Sequence, residues 1–372
     1  MNMTGIIFSE MCNDNLNAFT LDRNMAAIPF GGRYRLVDFP LSNMVNSGIT
    51  NVAVVAKQHY HSLMDHLSKS QEWDLNRKNG GLLILPPFVN GSFSQTHRGK
   101  LDDLRNALIY LEDADTPYVL LADAHVIYNL DYRLVLQSHI DSGCDITLAA
   151  TCQTEATQEP YGIVMEAGDD LRATSFAVDT QAAPGAYTGM GVCIMSREKL
   201  IQVVRDYTAR GSYDLYRDFV QAQFNQGNLS INVYHFQDVV LHIRNAEEYI
   251  ANNLSLTQPE IASALFRTDA PIYTRVHDEV PAYYGMDCDV SGCIIADGCI
   301  IEGSAQHCVI SRGVRIGKGA VVKDCIIMQG SVVGEGAVLE HVVVDKWATI
   351  SAGTELKGAP NSPVIIRKGA TV

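Results

Sequence analysis

Hydrophobic positions divide the chain into two unlike parts. Up to about Arg244, short apolar runs alternate with helical patterns. Thr4–Ser9, Asn51–Ala56, Leu82–Leu85 and Tyr118–Ala122 read as strands. Between them Pro40–Ser47, His59–Ser68 and Leu101–Glu112 carry apolar residues three and four apart, the spacing of half-buried helices. Strand and helix in alternation predict an α/β sheet covered on both faces, with its ligand cleft at the carboxyl ends of the strands. Two helical stretches, Ala246–Leu256 and Glu260–Leu265, bridge to a region of another period. There Ile310, Ile316, Val322, Ile327, Val333, Leu339, Val344, Ile350 and Leu356 fall five or six residues apart. A hexad fits neither the 3.6-residue helix nor the two-residue alternation of a sandwich. It predicts very short strands turning corners, three hexads to a coil, stacked as a parallel β-helix. The expected division is a sheet domain over 1–245, a helical linker over 246–283 and a repeat domain over 284–372.

Composition narrows the function. The 372 residues hold 28 Lys and Arg against 42 Asp and Glu, a net charge of −14. That excludes nucleic acid and an anionic membrane surface as natural partners. No apolar run approaches a spanning helix of about 18 residues. The first run, Ile6–Phe8, meets Glu10 too soon for a signal peptide. Nine cysteines are scattered without a CxxC pair. They read as reduced thiols in a cytoplasmic protein, with no zinc site and no disulfide frame; Cys293 and Cys299 read as small buried hydrophobes.

Several segments are diagnostic together. Pro29 to Asn43 reads PFGGRYRLVDFPLSN and Val45 to Ile49 reads VNSGI. Trp73–Arg77, Gly80-Gly81, Ile84–Phe88, Arg98-Gly99, Asn129–Tyr132 and Gly189-Met190-Gly191 follow, and then the hexads. This succession resembles the bacterial ADP-glucose pyrophosphorylases, the glucose-1-phosphate adenylyltransferases of glycogen biosynthesis, over essentially the whole chain. The resemblance implies a nucleotidyltransferase-like, Rossmann-type mixed sheet with a C-terminal left-handed parallel β-helix of hexapeptide repeats. It also implies a reaction in which a sugar phosphate attacks the α-phosphate of ATP, aided by Mg²⁺, basic side chains and a glycine-rich loop.

Position by position, those aids are missing. Where the family's glycine-rich loop falls, this chain has Glu10, Met11, Asn13 and Asn15, with Asp14 adding negative charge where phosphates belong. The family's lysine falls on Met25. The two metal aspartates fall on His125 and His242, and Mg²⁺ prefers carboxylate oxygen to imidazole. Asp123 lies two residues from the first of these, which is about 6 Å of strand. The two histidines alone are a weak case for a transition-metal site. The sugar-phosphate lysine is lost around Ala177–Thr180, and the serine before Met190 is Gly189. No catalytic residue, metal or cofactor is therefore expected in this chain.

What persists is a basic pair, Arg33 and Arg35. By resemblance, Arg33 stands at a position contributing to an anionic effector site; otherwise the two pair with acids such as Asp38. Arg312, Arg315, Arg367 and Lys368 could complete such a site. His59 and His61 read as exposed histidines. The expected role is a regulatory, non-catalytic subunit. It would assemble with a catalytic paralogue into a heterotetramer (a homodimer when alone), activate that paralogue and respond to a phosphorylated metabolite. Two alternatives are a self-sufficient adenylyltransferase and a hexapeptide-repeat acyltransferase with His307 as base.

Overall fold

The computed structural model describes residues 2–10, 16–68, 70–86 and 98–372. Two compact units emerge: Met1–Cys12 with Phe39–Val240, and Asn13–Asp38 with Leu241–Val372. The segment before Phe39 thus groups with the repeats, which strand–helix alternation gave no reason to expect.

In the first unit the sheet strands are β1 (Met3–Phe8), β2 (Asn51–Val55), β3 (Gly81–Leu85), β4 (Tyr118–Asp123), β5 (Ile146–Cys152), β6 (Val164–Ala167), β7 (Ala173–Ala177), β8 (Tyr187–Ser196) and β9 (Ile231–His235). Their order runs β7-β6-β8-β4-β1-β2-β3, with β5 joining β8 to β9. β1 is parallel to β2 and β4, whereas β8 is antiparallel to β4, so the sheet is mixed. Every residue of β1 is buried. That is why it reads as a continuous apolar run: a central strand covered on both faces has no polar side to show. The helix expected over Leu101–Glu112 is two, Lys100–Asn106 and Leu108–Glu112. They break at Ala107, whose φ of −93° and ψ of 2° leave the helical well. In-register pairing sets Phe8 at the end of β1 against Asp123 at the end of β4.

In the second unit three parallel five-stranded sheets stack strand on strand. One consists of Tyr283–Tyr284, Ile300–Ile301, Arg315–Ile316, Val332–Val333 and Thr349–Ile350. This is a left-handed parallel β-helix. Its interior is the hexad set: Ile310, Ile316, Val322, Ile327, Val333, Leu339, Val344 and Ile350 are all buried. One corner needs a left-handed backbone in every coil. Gly298, Gly313, Gly330 and Gly369 supply it, and Trp347 takes the same conformation with φ 61°. The PFGGRYR block is a tight hairpin in which Pro29–Phe30 pairs with Tyr34–Arg35. Three residues, Gly31, Gly32 and Arg33, join the paired strands, and the two glycines take φ of 58° and 81°, a left-handed backbone that glycine adopts without steric cost. Tyr249 and Asn253 of the helix Ala246–Ser255 clasp this hairpin. The Tyr249 hydroxyl donates to the Pro29 carbonyl at 2.8 Å, and the Gly31 N–H donates to Asn253 Oδ1 at 3.0 Å.

Candidate functional site

The carboxyl end of the parallel strands is where such sheets bind ligands, and here an ion pair stands at the end of β4. The Lys100 ammonium lies 2.6 Å from both carboxylate oxygens of Asp123. The rings of Phe8 and Tyr216 flank the same ammonium, with centroids at 5.0 and 4.8 Å. Behind the carboxylate, Gly191 (φ 72°) approaches so closely that a Cβ there would sit 2.8 Å from the Asp123 Cβ. Only glycine permits both that backbone and that contact. Cys193, buried in the same wall, has its thiol pushed up to about 12, chiefly by burial.

The residues singled out from sequence lie around this point and elsewhere. The Glu10 carboxylate accepts from the Gln58 N–H at 2.9 Å. Met11, Asn13 and Asn15 lie outside the described residues. His125 is half-buried in the turn after β4, between Asp123 and Val126. Gly189 faces Ile163, whose Cβ would stand 3.0 Å from a Cβ added there. Among the described residues, no three His, Cys, Asp or Glu side chains are grouped to hold a metal ion. A Mg²⁺ ion takes about six oxygen ligands. Among the described residues, Lys100 meets the Asp123 carboxylate and two aromatic faces, contacts that suit an ammonium better than magnesium.

The second unit holds the other candidates. Met25 is buried in the single turn Met25–Ala27, and His242 is half-buried, its carbonyl accepting from Asn252. The two arginines of the hairpin part company. Arg33 pairs with Asp297 at 2.9 Å, and Arg312 meets the same carboxylate at 3.2 Å. The Asp38 carboxylate accepts from the backbone N–H of Arg35 at 2.9 Å. Arg35 belongs to a different group. The Lys346 amine is brought down to about 7 by burial first, then by the positive charges of Arg35, Arg23 and Lys368, against the opposing pull of Asp345. Asp345 is itself held by Arg23 at 2.8 and 3.0 Å. Arg315 and Arg367 are exposed, as are His59 and His61. His307 Nδ1 lies 2.5 Å from Asp324 at a coil corner. Cys299 is buried and Cys293 half-buried, and the eight described cysteines are all free thiols.

Three functional candidates escaped the sequence reading: Lys100, Arg23 and Lys346. A signal existed for the first, since it directly follows the diagnostic Arg98-Gly99 pair. Lys346 and Arg23 carried none, because a cationic cluster is assembled by folding from residues more than 300 apart.

Comparison with known proteins agrees with this geometry. A nucleotidyl transferase family model matches residues 14–248, and a model of the GlmU-like C-terminal hexapeptide matches residues 280–360. The glycogen biosynthesis protein GlgD of Geobacillus stearothermophilus is 36% identical over 371 residues, covering 99% of this chain and 96% of the relative. The GlgD of Bacillus subtilis (strain 168) is 33% identical over 368 residues, with the same coverages. This chain belongs to the ADP-glucose pyrophosphorylase family. A further family member, the glucose-1-phosphate adenylyltransferase of Pseudothermotoga lettingae, is 32% identical over 298 residues, covering 80% of this chain and 70% of the relative. The hexapeptide coils up to Lys357 lie within the span of the second family model. Among the described residues no helix is long and apolar enough to cross a membrane.

Proposed function

We propose that this chain is a regulatory, non-catalytic subunit of the cytoplasmic ADP-glucose pyrophosphorylase of glycogen biosynthesis. It assembles with a catalytic glucose-1-phosphate adenylyltransferase and raises that partner's activity or effector response. The observation that carries this reading is a contrast. The hairpin at Gly31-Gly32 and the buried hexads are intact, while the positions of the family's chemistry hold Glu10, Met25, His125 and His242. A fold kept whole around a dismantled reaction centre is useful for its surfaces. A coupling of about 1–3 kcal/mol through a shared interface changes a partner's response roughly 5- to 150-fold.

The effector site in this reading is the group around Lys346. Arg35, Lys346 and Lys368 crowd positive charge about one carboxylate, Asp345, which Arg23 already grips. A phosphorylated metabolite relieves that repulsion and offers acceptors to an arginine fork. Arg33, tied to Asp297, braces the hairpin instead of binding the anion.

The test is kinetic. Added to the catalytic partner over a concentration series, the chain should raise the rate or lower the effector midpoint, and sedimentation should show a heterotetramer. Unchanged kinetics across the series refute the regulatory reading. Release of pyrophosphate by the chain alone at about 1 s⁻¹ or more, from ATP, glucose 1-phosphate and Mg²⁺, favours the self-sufficient enzyme.

A further inference from the structure

The residue that follows the diagnostic Arg98-Gly99 pair is Lys100, at the start of the helix Lys100–Asn106, and its ammonium reaches the end of β4. Its side chain is 18% exposed and that of Asp123 is 8% exposed. A buried ammonium is strongly penalised unless its charge is matched. Here Asp123 matches it, and the electron-rich faces of Phe8 and Tyr216 complete the cage. A carboxylate is equally costly to bury alone, so each group requires the other. The cage sits at the end of β4, two residues before His125, the position on which the family's metal aspartate falls.

We propose that Lys100 is a tethered cation standing at Asp123 in place of a divalent ion, so that the cleft excludes metal from that carboxylate. Three features point the same way. The ammonium lies 2.6 Å from both oxygens and donates to Oδ2, so it occupies the space before the carboxylate that a metal ion would need. Aromatic ring faces flank the ammonium on two sides, and Asp103, the nearby carboxylate on the same helix, is already paired with Lys57 at 2.8 Å. A covalently attached cation is also held at an effective concentration that free ions match poorly. Lys100 is a positioning residue in this account: it orients Asp123 against Gly191 and takes no part in bond making.

The inference shares with the regulatory reading the premise that the cleft no longer runs the family's reaction, and its test is separate because the partner is absent. Mn²⁺ is titrated into the full-length chain alone and the free ion followed by electron paramagnetic resonance. Wild type should show no saturable site. Lys100→Met, which keeps the hydrocarbon stem between the two rings, should gain one, at least about tenfold tighter than any wild-type binding, a change of about 1.4 kcal/mol. Adding Asp123→Asn to Lys100→Met should abolish it. Circular dichroism melts establish that each variant is folded, and Lys100→Gln replaces Lys100→Met if the latter is not. The proposal is overturned by saturable Mn²⁺ binding in wild type that Asp123→Asn removes. It is equally overturned by a folded Lys100→Met or Lys100→Gln chain that binds no better than wild type, or by a gained site that survives Asp123→Asn.

Discussion

Arg23 and Asp345 are 322 positions apart in sequence and form a two-pronged ion pair at 2.8 and 3.0 Å, with side chains only 3% and 5% exposed. The pair fastens the amino-terminal segment of the second unit to its fourth coil, and it also determines how much charge is left to act on Lys346.

Breaking that pair should be expensive. Arg23→Ala or Asp345→Ala leaves a charge buried without its counterpart, and each should lower stability by about 3–5 kcal/mol. Thermal and denaturant melts of the two singles and the double give the coupling energy. A coupling near zero would show that the pair holds nothing together.

Lys346 makes stability depend on pH. Its amine titrates at about 7 in the folded chain and at about 10.4 when unfolded, so between those values the unfolded state binds more protons. Stability should therefore rise as pH goes from about 7 to about 10, with the full penalty present below 7. Lys346→Met should flatten that slope and raise stability at pH 6 by about 2 kcal/mol. Denaturant melts from pH 6 to 10 measure both.

The same amine gives the effector site a proton signature. At pH 8 Lys346 is mostly neutral, and a bound phosphate monoester favours its charged form. Binding should take up a proton, so the calorimetric heat should depend on the buffer's ionisation enthalpy. Lys346→Met should remove that dependence and weaken binding about tenfold or more. Buffer-independent heats in wild type would place the anion elsewhere.

Trp347 reports on this corner. It is 56% exposed, and Trp73, the other of the two tryptophans, is 1% exposed. Acrylamide should quench Trp347 fluorescence and spare Trp73. The Trp347 ring lies over Gly330, where an added Cβ would fall 2.3 Å from the indole. Gly330 also has φ 71°. Gly330→Ala should thus lower stability by about 1–3 kcal/mol, whereas Trp347→Gly, which relieves a left-handed backbone, should cost little.

The repeat core responds to truncation in the ordinary way. Ile327 is fully buried between its neighbours Ile310 and Val344 in the stacked coils. Ile327→Ala should cost about 2–5 kcal/mol, read as a lower melting temperature. A much smaller loss would mean that the coil collapses around the gap.

Local pattern made part of this molecule legible. Strand positions such as Ile6–Phe8 and hexad positions such as Ile316, Val333 and Ile350 declare themselves, because burial of a short element depends on its own few residues. The segment Pro29 to Arg35 stood out only as a motif; that it is a hairpin came from the pairing of Phe30 with Tyr34. The break at Ala107 could not be read either, since the apolar spacing runs on through it and packing alone decides where the helix yields.

Which charges meet was decided by the tertiary structure. The sequence left Arg33 and Arg35 between an anion site and pairing with acids such as Asp38; the coils carry Asp297 to the first and Lys346 near the second. Lys100 found Asp123 only because a helix start and a strand end converge. The physical reason is range: hydrophobic periodicity acts over a few residues, while an ion pair needs two heads within about 4 Å, and nothing in a linear pattern fixes that distance across 23 or 322 positions.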